Sequence, residues 1–409
     1  MSFCSRSRWV LAPCALASAV AGSLLWIIPR TILAQESAPA QSPPAQEGRA
    51  EDKLLRSPIF LEVSDNLLEN FPIPSPRTRW SFPEEQADSV ELLFLKSGMA
   101  PGDVEAMTEP GAVVRSDGWV HFFPSNSVVE GMSREARATL YPELARYAIN
   151  EFHESPVLIL TDTVEEWYRS SHLRPETVSD ISRMAYRRGS VWAFSDVPLL
   201  VAKSQGESDL KTFYKALTRT RTYLVRISIG PHTDTIALKS YWRPPGSTFR
   251  RKDVEPLIES LKETGTEMQL DLVHLMPPLA RKLLYTYPGP ENTAKGILPD
   301  CHWTCLNYFN YEPHGYLLDS KLATSKVLED YELGTGPYHY GDILFFIDDL
   351  NGDAFHSCVF LKEDLVFTKN GRNQMAPWII STLDEISRIY LTSRKGHIEI
   401  YRLRGTKSP

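Results

Sequence analysis

The apolar positions of this chain recur with two periods, and the balance between them shifts near residue 296. Before that point, apolar residues spaced three or four apart predict helices, and short alternating or continuous apolar runs predict strands. "SREARATLYPELARYAINEF" (Ser133–Phe152) has the helical period, with a bend expected where Pro142 lacks an amide donor. "RPETVSDISRMAYRRG" (Arg174–Gly189) carries Pro175 at a helix start and Gly189 just past a helix end. "ESDLKTFYKALTRT", "RKDVEPLIESLKET" and "MPPLARKLLYTYP" read as further helices; "SPVLIL" (Ser155–Leu160) and "TYLVRISIG" (Thr222–Gly230) read as strands. Residues 53–296 are therefore expected to form a mixed α/β region, in which no internal repeat or catalytic motif stands out. Trp167, Tyr168, Trp192 and Trp242 within it are read as core rather than as a groove.

After Gly296 the pattern changes. "PDCHWTCLNYFN" (Pro299–Asn310) predicts a helix with Asp300 as N-cap. "GDILFFID" (Gly341–Asp348) predicts a strand, Asn351-Gly352 a hairpin turn, and "AFHSCVFL" (Ala354–Leu361) the returning strand. "KED" makes a tight turn into "LVFTKNG", a third strand. "PWIISTLDEISRIYL" (Pro377–Leu391) has the period of an amphipathic helix, and "HIEIYRLR" is a last strand. The expected class is α+β: a helix packed on an antiparallel meander over residues 297–409, after the larger mixed region.

The N-terminus reads differently. Arg6 and Arg8 precede 20 uncharged residues, Trp9 to Ile28, and "RTILAQE" offers a cleavage point after Ala34. Residues 1–34 are thus expected to be a secretory signal peptide. The run is also about long enough to span a bilayer, so an uncleaved N-terminal anchor is the alternative. "LAPC", ending at Cys14, is a poor lipidation signal because little apolar sequence precedes it. Residues 35–52, rich in Pro, Ala and Gln, read as a linker. The leader holds three Arg and no acid, so the remainder carries 41 basic against 51 acidic side chains, a net −10. That balance argues against nucleic acid as a partner.

Cysteine is scarce. Three lie outside the leader, Cys301, Cys305 and Cys358. Cys301 follows the expected N-cap, where backbone N–H groups and the helix dipole favour a thiolate. A nucleophile needs a base, and His356, on the middle strand of the meander, is the candidate. A third group must orient the imidazole. Asn370 at the end of the next strand is the candidate, with Thr368 as the fallback. His302, Trp303, His339 and Tyr340 are the candidate cleft residues. Cys305 is one helical turn from Cys301, and Cys358 is two strand positions from His356. If Cys301 meets His356, Cys305 could then face Cys358, and an exported chain can hold that disulfide. A Cys-x3-Cys helix is a poor zinc motif, and "DDLNGD" lacks the sixth-position Gly and the closing Glu of a calcium loop. No metal or organic cofactor is expected.

These residues resemble the NlpC-type cell-wall cysteine peptidases, a family with a compact papain-like fold. The likeness rests on Asp300-Cys301 opening a helix, "GDILFF" from Gly341, and "HSCVFL" from His356, with a polar third residue among Thr368 to Asn370. "YTYPGPENTAKG" resembles the family's Tyr- and Gly-bearing lead-in. The family usually has Ser-Gly after the cysteine, where this chain has His302-Trp303, and often a His as third residue. Cys301 precedes His356 by 55 residues, unlike papain-type spacing. The resemblance implies an exported thiol hydrolase of the cell envelope, acting on an amide of a peptidoglycan stem peptide, with the Cys301 N–H helping to hold the oxyanion. An inactive binding or scaffold protein on the same fold is the alternative. An amidase or acyltransferase acting on another substrate is a third reading.

Overall fold

The computed structural model describes residues 54–69, 73–109, 111–244, 252, 254–289, 298–392 and 394–405, together with Trp26–Ile27. All other residues of the leader and of the linker 35–52 lie outside the described residues, so the expectations of a signal peptide, an anchor and a linker fall there. Among the described residues, no helix is long and apolar enough to cross a membrane. The architecture is mixed α and β, and its sheets are antiparallel. Its residues fall into two units.

One unit contains Asn70–Pro156 and Ser195–Lys203. Its sheet of Trp80–Pro83, Trp119–Phe122 and Val114–Ser116 packs Trp80, Phe82 and Phe122 around Phe94. The buried Arg137 guanidinium donates to Asp196 at 2.8 Å, and Tyr141 donates to the same carboxylate. The bent helix expected over Ser133–Phe152 is two helices, Arg134–Leu144 and Glu151–Glu154. Pro142 lies in the last turn of the first. Asn150 then holds the break open, donating to Leu144 O at 3.0 Å and accepting the Ser81 N–H at 2.9 Å.

The other unit contains Ala19–Glu69, Val157–Phe194 and Ser204–Pro409. It therefore joins the C-terminal meander to strands from far upstream. Its main sheet runs β4(Tyr331–Leu333)–β9(Gly396–Leu403)–β5(Ile343–Asp348)–β6(Asp353–Lys362)–β7(Leu365–Lys369)–β8(Trp378–Thr382). A two-residue strand, Trp26–Ile27, pairs with Ala354 and Asp353. A second sheet orders β3(Met268–Asp271)–β2(Thr220–Ile229)–β1(Leu54–Leu61). Thr222 of β2 donates its hydroxyl to Ile380 O at 2.8 Å and accepts the Ile380 N–H at 3.1 Å, tying this sheet to β8.

"ILFFID" is apolar at five consecutive positions because both faces of β5 are covered. Ile343, Phe345 and Ile347 join Val359, Leu361 and Phe367 in one core with Trp303, Cys305 and Leu306 of α1(Cys301–Leu306) and Tyr308 just past its end. Leu344 and Phe346 join Cys358, Phe360 and Val366 in the other, under Ile386 and Tyr390 of α3(Leu383–Tyr390). A further α-helix, α2(Ser320–Asp330), precedes β4.

The helix expected over Pro377–Leu391 is half strand. Trp378–Thr382 pairs with β7, and the helix starts only at Leu383. Thr382 and Glu385 form a capping box there. The buried Glu385 carboxylate also accepts from Tyr223 and Ser381, each at 2.8 Å. An apolar run of this length satisfies either period; the free edge of β7 and the Thr222 hydroxyl decide for strand.

Candidate functional site: a buried thiol and an imidazole on opposite sheet faces

Helix α1 starts where its N-cap dictates. Asp300 accepts the Trp303 N–H at 2.8 Å, and Thr304 donates its hydroxyl to Asp300 O at 2.7 Å. Trp378 of β8 donates its indole N–H to Thr304 at 2.9 Å, which clamps α1 onto the sheet. All six residues of the helix are buried.

Cys301 is 3% exposed. Burial pushes its thiol up to about 12, and the neighbouring Asp300 carboxylate adds to the rise; the Ser357 N–H and hydroxyl oppose it. The expectation of an acidic thiol is therefore overturned. A helix of six residues has a weak dipole, and removing a thiolate from water costs more than that dipole returns.

His356 does not meet Cys301. In the β5–β6 register Phe346 faces His356, Phe345 faces Ser357 and Leu344 faces Cys358. Ser357 thus lies on the α1 face with Phe345, while His356 and Cys358 lie on the α3 face with Phe346 and Leu344. The His356 ring stacks on Tyr390, with centroids 3.8 Å apart and planes 14° apart. Its Nε2 is 3.3 Å from Thr368 Oγ1, and its Nδ1 has no hydrogen-bond partner. Burial, aided by His302, holds its pKa well below 6.5. The expected base and nucleophile therefore face opposite sides of the sheet.

The same parity corrects the expected disulfide. Cys305 packs in the α1-side core and Cys358 in the α3-side core, and all three described cysteines are free thiols. Sharing one strand face, as His356 and Cys358 do, is not enough when that face turns away from α1. A chain beginning at Gln35 should show three free thiols when denatured without reductant and counted with a chromogenic disulfide reagent. A count of one would restore the bridge.

Of the two candidates to orient the imidazole, Thr368 contacts it. Asn370 is half-buried past the end of β7, and its Oδ1 has no hydrogen-bond partner. Three of the four candidate cleft residues are core. His302 is buried with Nδ1 3.0 Å from Ser357 Oγ and its ring stacked on Phe345; burial lowers its pKa to about 4. Trp303 is buried near Trp378, and Tyr340 packs edge-on against Trp242, centroids 5.0 Å apart. His339 is only partly buried, and its backbone N–H donates to Asp342 at 2.8 Å. Asp342 in turn accepts from Arg402 at 2.6 and 2.9 Å. Gly341 before it has φ of 90°, which explains the glycine of the Gly-Asp pair.

Two residues near Cys301 were not singled out in the sequence. Ser357 was signalled only by alternation: it must face opposite His356. Lys369 is fully buried on the α1 face, donating Nζ to Gly371 O at 2.8 Å and Asn373 O at 2.7 Å. Burial lowers it to about 7, against the pull of Asp300 and Cys301. Arg372 pairs with Asp300 at 3.0 Å. Among the described residues, no group of three or more His, Cys, Asp or Glu side chains is arranged to hold a metal ion.

A neutral thiol beside a serine, with a neutral imidazole on the far face, does not form a thiolate–imidazolium pair in this arrangement. No family model, curated protein or solved structure matches the chain.

Proposed function

We propose that this chain is an exported binding or scaffold protein of the cell envelope, built on an NlpC-like, papain-like fold whose hydrolytic pair is not assembled in the described conformation. The observation that carries this reading is the register of β6, which directs the His356 ring onto Tyr390 rather than toward Cys301. The thiol's burial points the same way. The partner is a cell-wall peptide, as the family resemblance implies; any membrane attachment would run through residues 1–34. The test is to incubate the full chain and its Cys301→Ala variant with purified peptidoglycan. Equal co-sedimentation of both, with no fragments released by either, is the expected result. Release of fragments by the wild type alone would sink the reading.

A second reading is a thiol hydrolase cleaving an amide in a stem peptide, with an amidase or acyltransferase on another substrate as its variant. One observation favours it: the pairing irregularity in β6 falls immediately before His356.

A further inference from the structure

The β5–β6 ladder contains one extra residue. Ile347 pairs with Ala354, but the next residue of β5, Phe346, pairs with His356, so Phe355 is a bulge. Ala354 belongs to the α1-side core, while Phe355 and Cys358 belong to the α3-side core. The bulge therefore sets which face His356 takes, since side chains alternate by single residues on either side of it.

We propose that the bulge in β6 moves by one position, from Phe355 to the His356–Ser357 step, and that this single move carries the imidazole of His356 to the face occupied by Cys301. In the moved register Phe346 pairs with Phe355, and Phe345 is opposed by His356 and Ser357 together. Leu344 still pairs with Cys358, and Ile347 with Ala354. Only the two pairings at Phe346 and Phe345 change.

Three features make the move local. Residues 355–358 pair with β5 on one side only: β7 pairs with β6 from Val359 onward, and Trp26–Ile27 reach only Asp353 and Ala354. No second ladder has to re-register. In the present register the buried Nδ1 of His356 lacks a hydrogen-bond partner, a state that native interiors avoid. Facing α1, the ring would meet the Cys301 thiol and the Ser357 hydroxyl. Against the move stand the stack on Tyr390 and the contact to Thr368, so the described register is the major one. What the minor register would catalyse rests on the hydrolase reading; its existence does not.

Two single-residue deletions lock the alternatives. Deleting Phe355 removes the bulge and leaves His356 opposite Phe346, away from Cys301. Deleting Ser357 also removes the bulge but leaves His356 opposite Phe345, on the Cys301 face. With iodoacetamide at pH 7 and peptide mapping, Cys301 should react at least tenfold faster in the Ser357 deletion than in the wild type. It should react at least threefold faster in the wild type than in the Phe355 deletion. Equal rates in the three folded proteins would overturn the proposal. If the Ser357 deletion fails to fold, equal rates in the wild type and the Phe355 deletion overturn it alone. If neither deletion folds, the native wild type decides. Cys301 labelled ahead of Cys305 supports the move, and equal labelling, the mark of global unfolding, overturns it. Peptidoglycan digestion is scored separately: faster alkylation without fragment release keeps the register change and sinks the hydrolase.

Discussion

Mild acid should unfold the unit that carries Cys301 before most of its carboxylates are protonated. His302 is held neutral down to about pH 4, and His356 stays neutral well below 6.5; burial is the main cause for both. In the unfolded chain both take a proton near pH 6.5. Between those values the unfolded state binds more protons, so stability is complete above about pH 6.5 and falls as the pH drops below it. At pH 4 the loss from His302 alone is on the order of 3 kcal/mol, and His356 adds to it. Against a total stability of about 5–15 kcal/mol, that is a large share. Lys369 acts in the same direction at higher pH. Its folded pKa of about 7 lies below its unfolded value, so its own contribution rises between about pH 7 and 8.5, above which the three buried thiols, whose folded pKa values are raised, act the other way. Urea midpoints measured from pH 8 to pH 4 should decline steadily below pH 6.5. His302→Gln with His356→Gln should flatten that decline. A midpoint that holds constant down to pH 5 would show that these imidazoles are not sealed from water. The other unit has its own acid-labile group, His153, which burial lowers to about 3.

Cys301 in the folded chain should resist iodoacetamide at pH 7, and urea should release it. A thiol at about 12 supplies a thiolate fraction more than about a thousandfold smaller than an ordinary cysteine near 8.5. Burial slows the reagent further. The expected labelling is under a hundredth of the rate in 8 M urea, with Cys305 and Cys358 protected still more strongly, since burial raises both of their pKa values as well. Mass spectrometry of tryptic peptides after timed labelling measures all three sites at once. Rapid, selective labelling of Cys301 at pH 6–7 in the dominant folded population would reverse the assignment of a sealed thiol. It would return the hydrolase to first place.

The elements that could be read from the chain are those fixed by neighbours in sequence. Asp300 caps α1 through a bond to an amide three residues away, so the helix start is legible in five letters. "ILFFID" could be read as a strand because five apolar residues in a row fit a strand covered on both faces. Less local features misled. "PWIIST" had the period of a helix but completes a sheet, because β7 offered it an edge and Thr222, 158 residues upstream, offered it a hydroxyl. The same long-range packing puts β1, β2 and β3 in one core with the meander. No spacing within residues 297–409 announces that union.

The Cys301 assignment turned on a parity. Alternation alone placed His356 and Cys358 together, and the structure agrees. Which face looked at α1 depended on the Phe355 bulge, since one extra residue inverts every side chain relative to the strand beyond it. Local order in the chain sufficed to set a capped cysteine helix against an antiparallel meander, because caps, turns and apolar runs act over a few residues. Only the assembled sheet chose between a thiol meeting an imidazole and a thiol meeting a serine. That choice depends on register and burial, which belong to strands and layers that are distant in sequence and close only once folded.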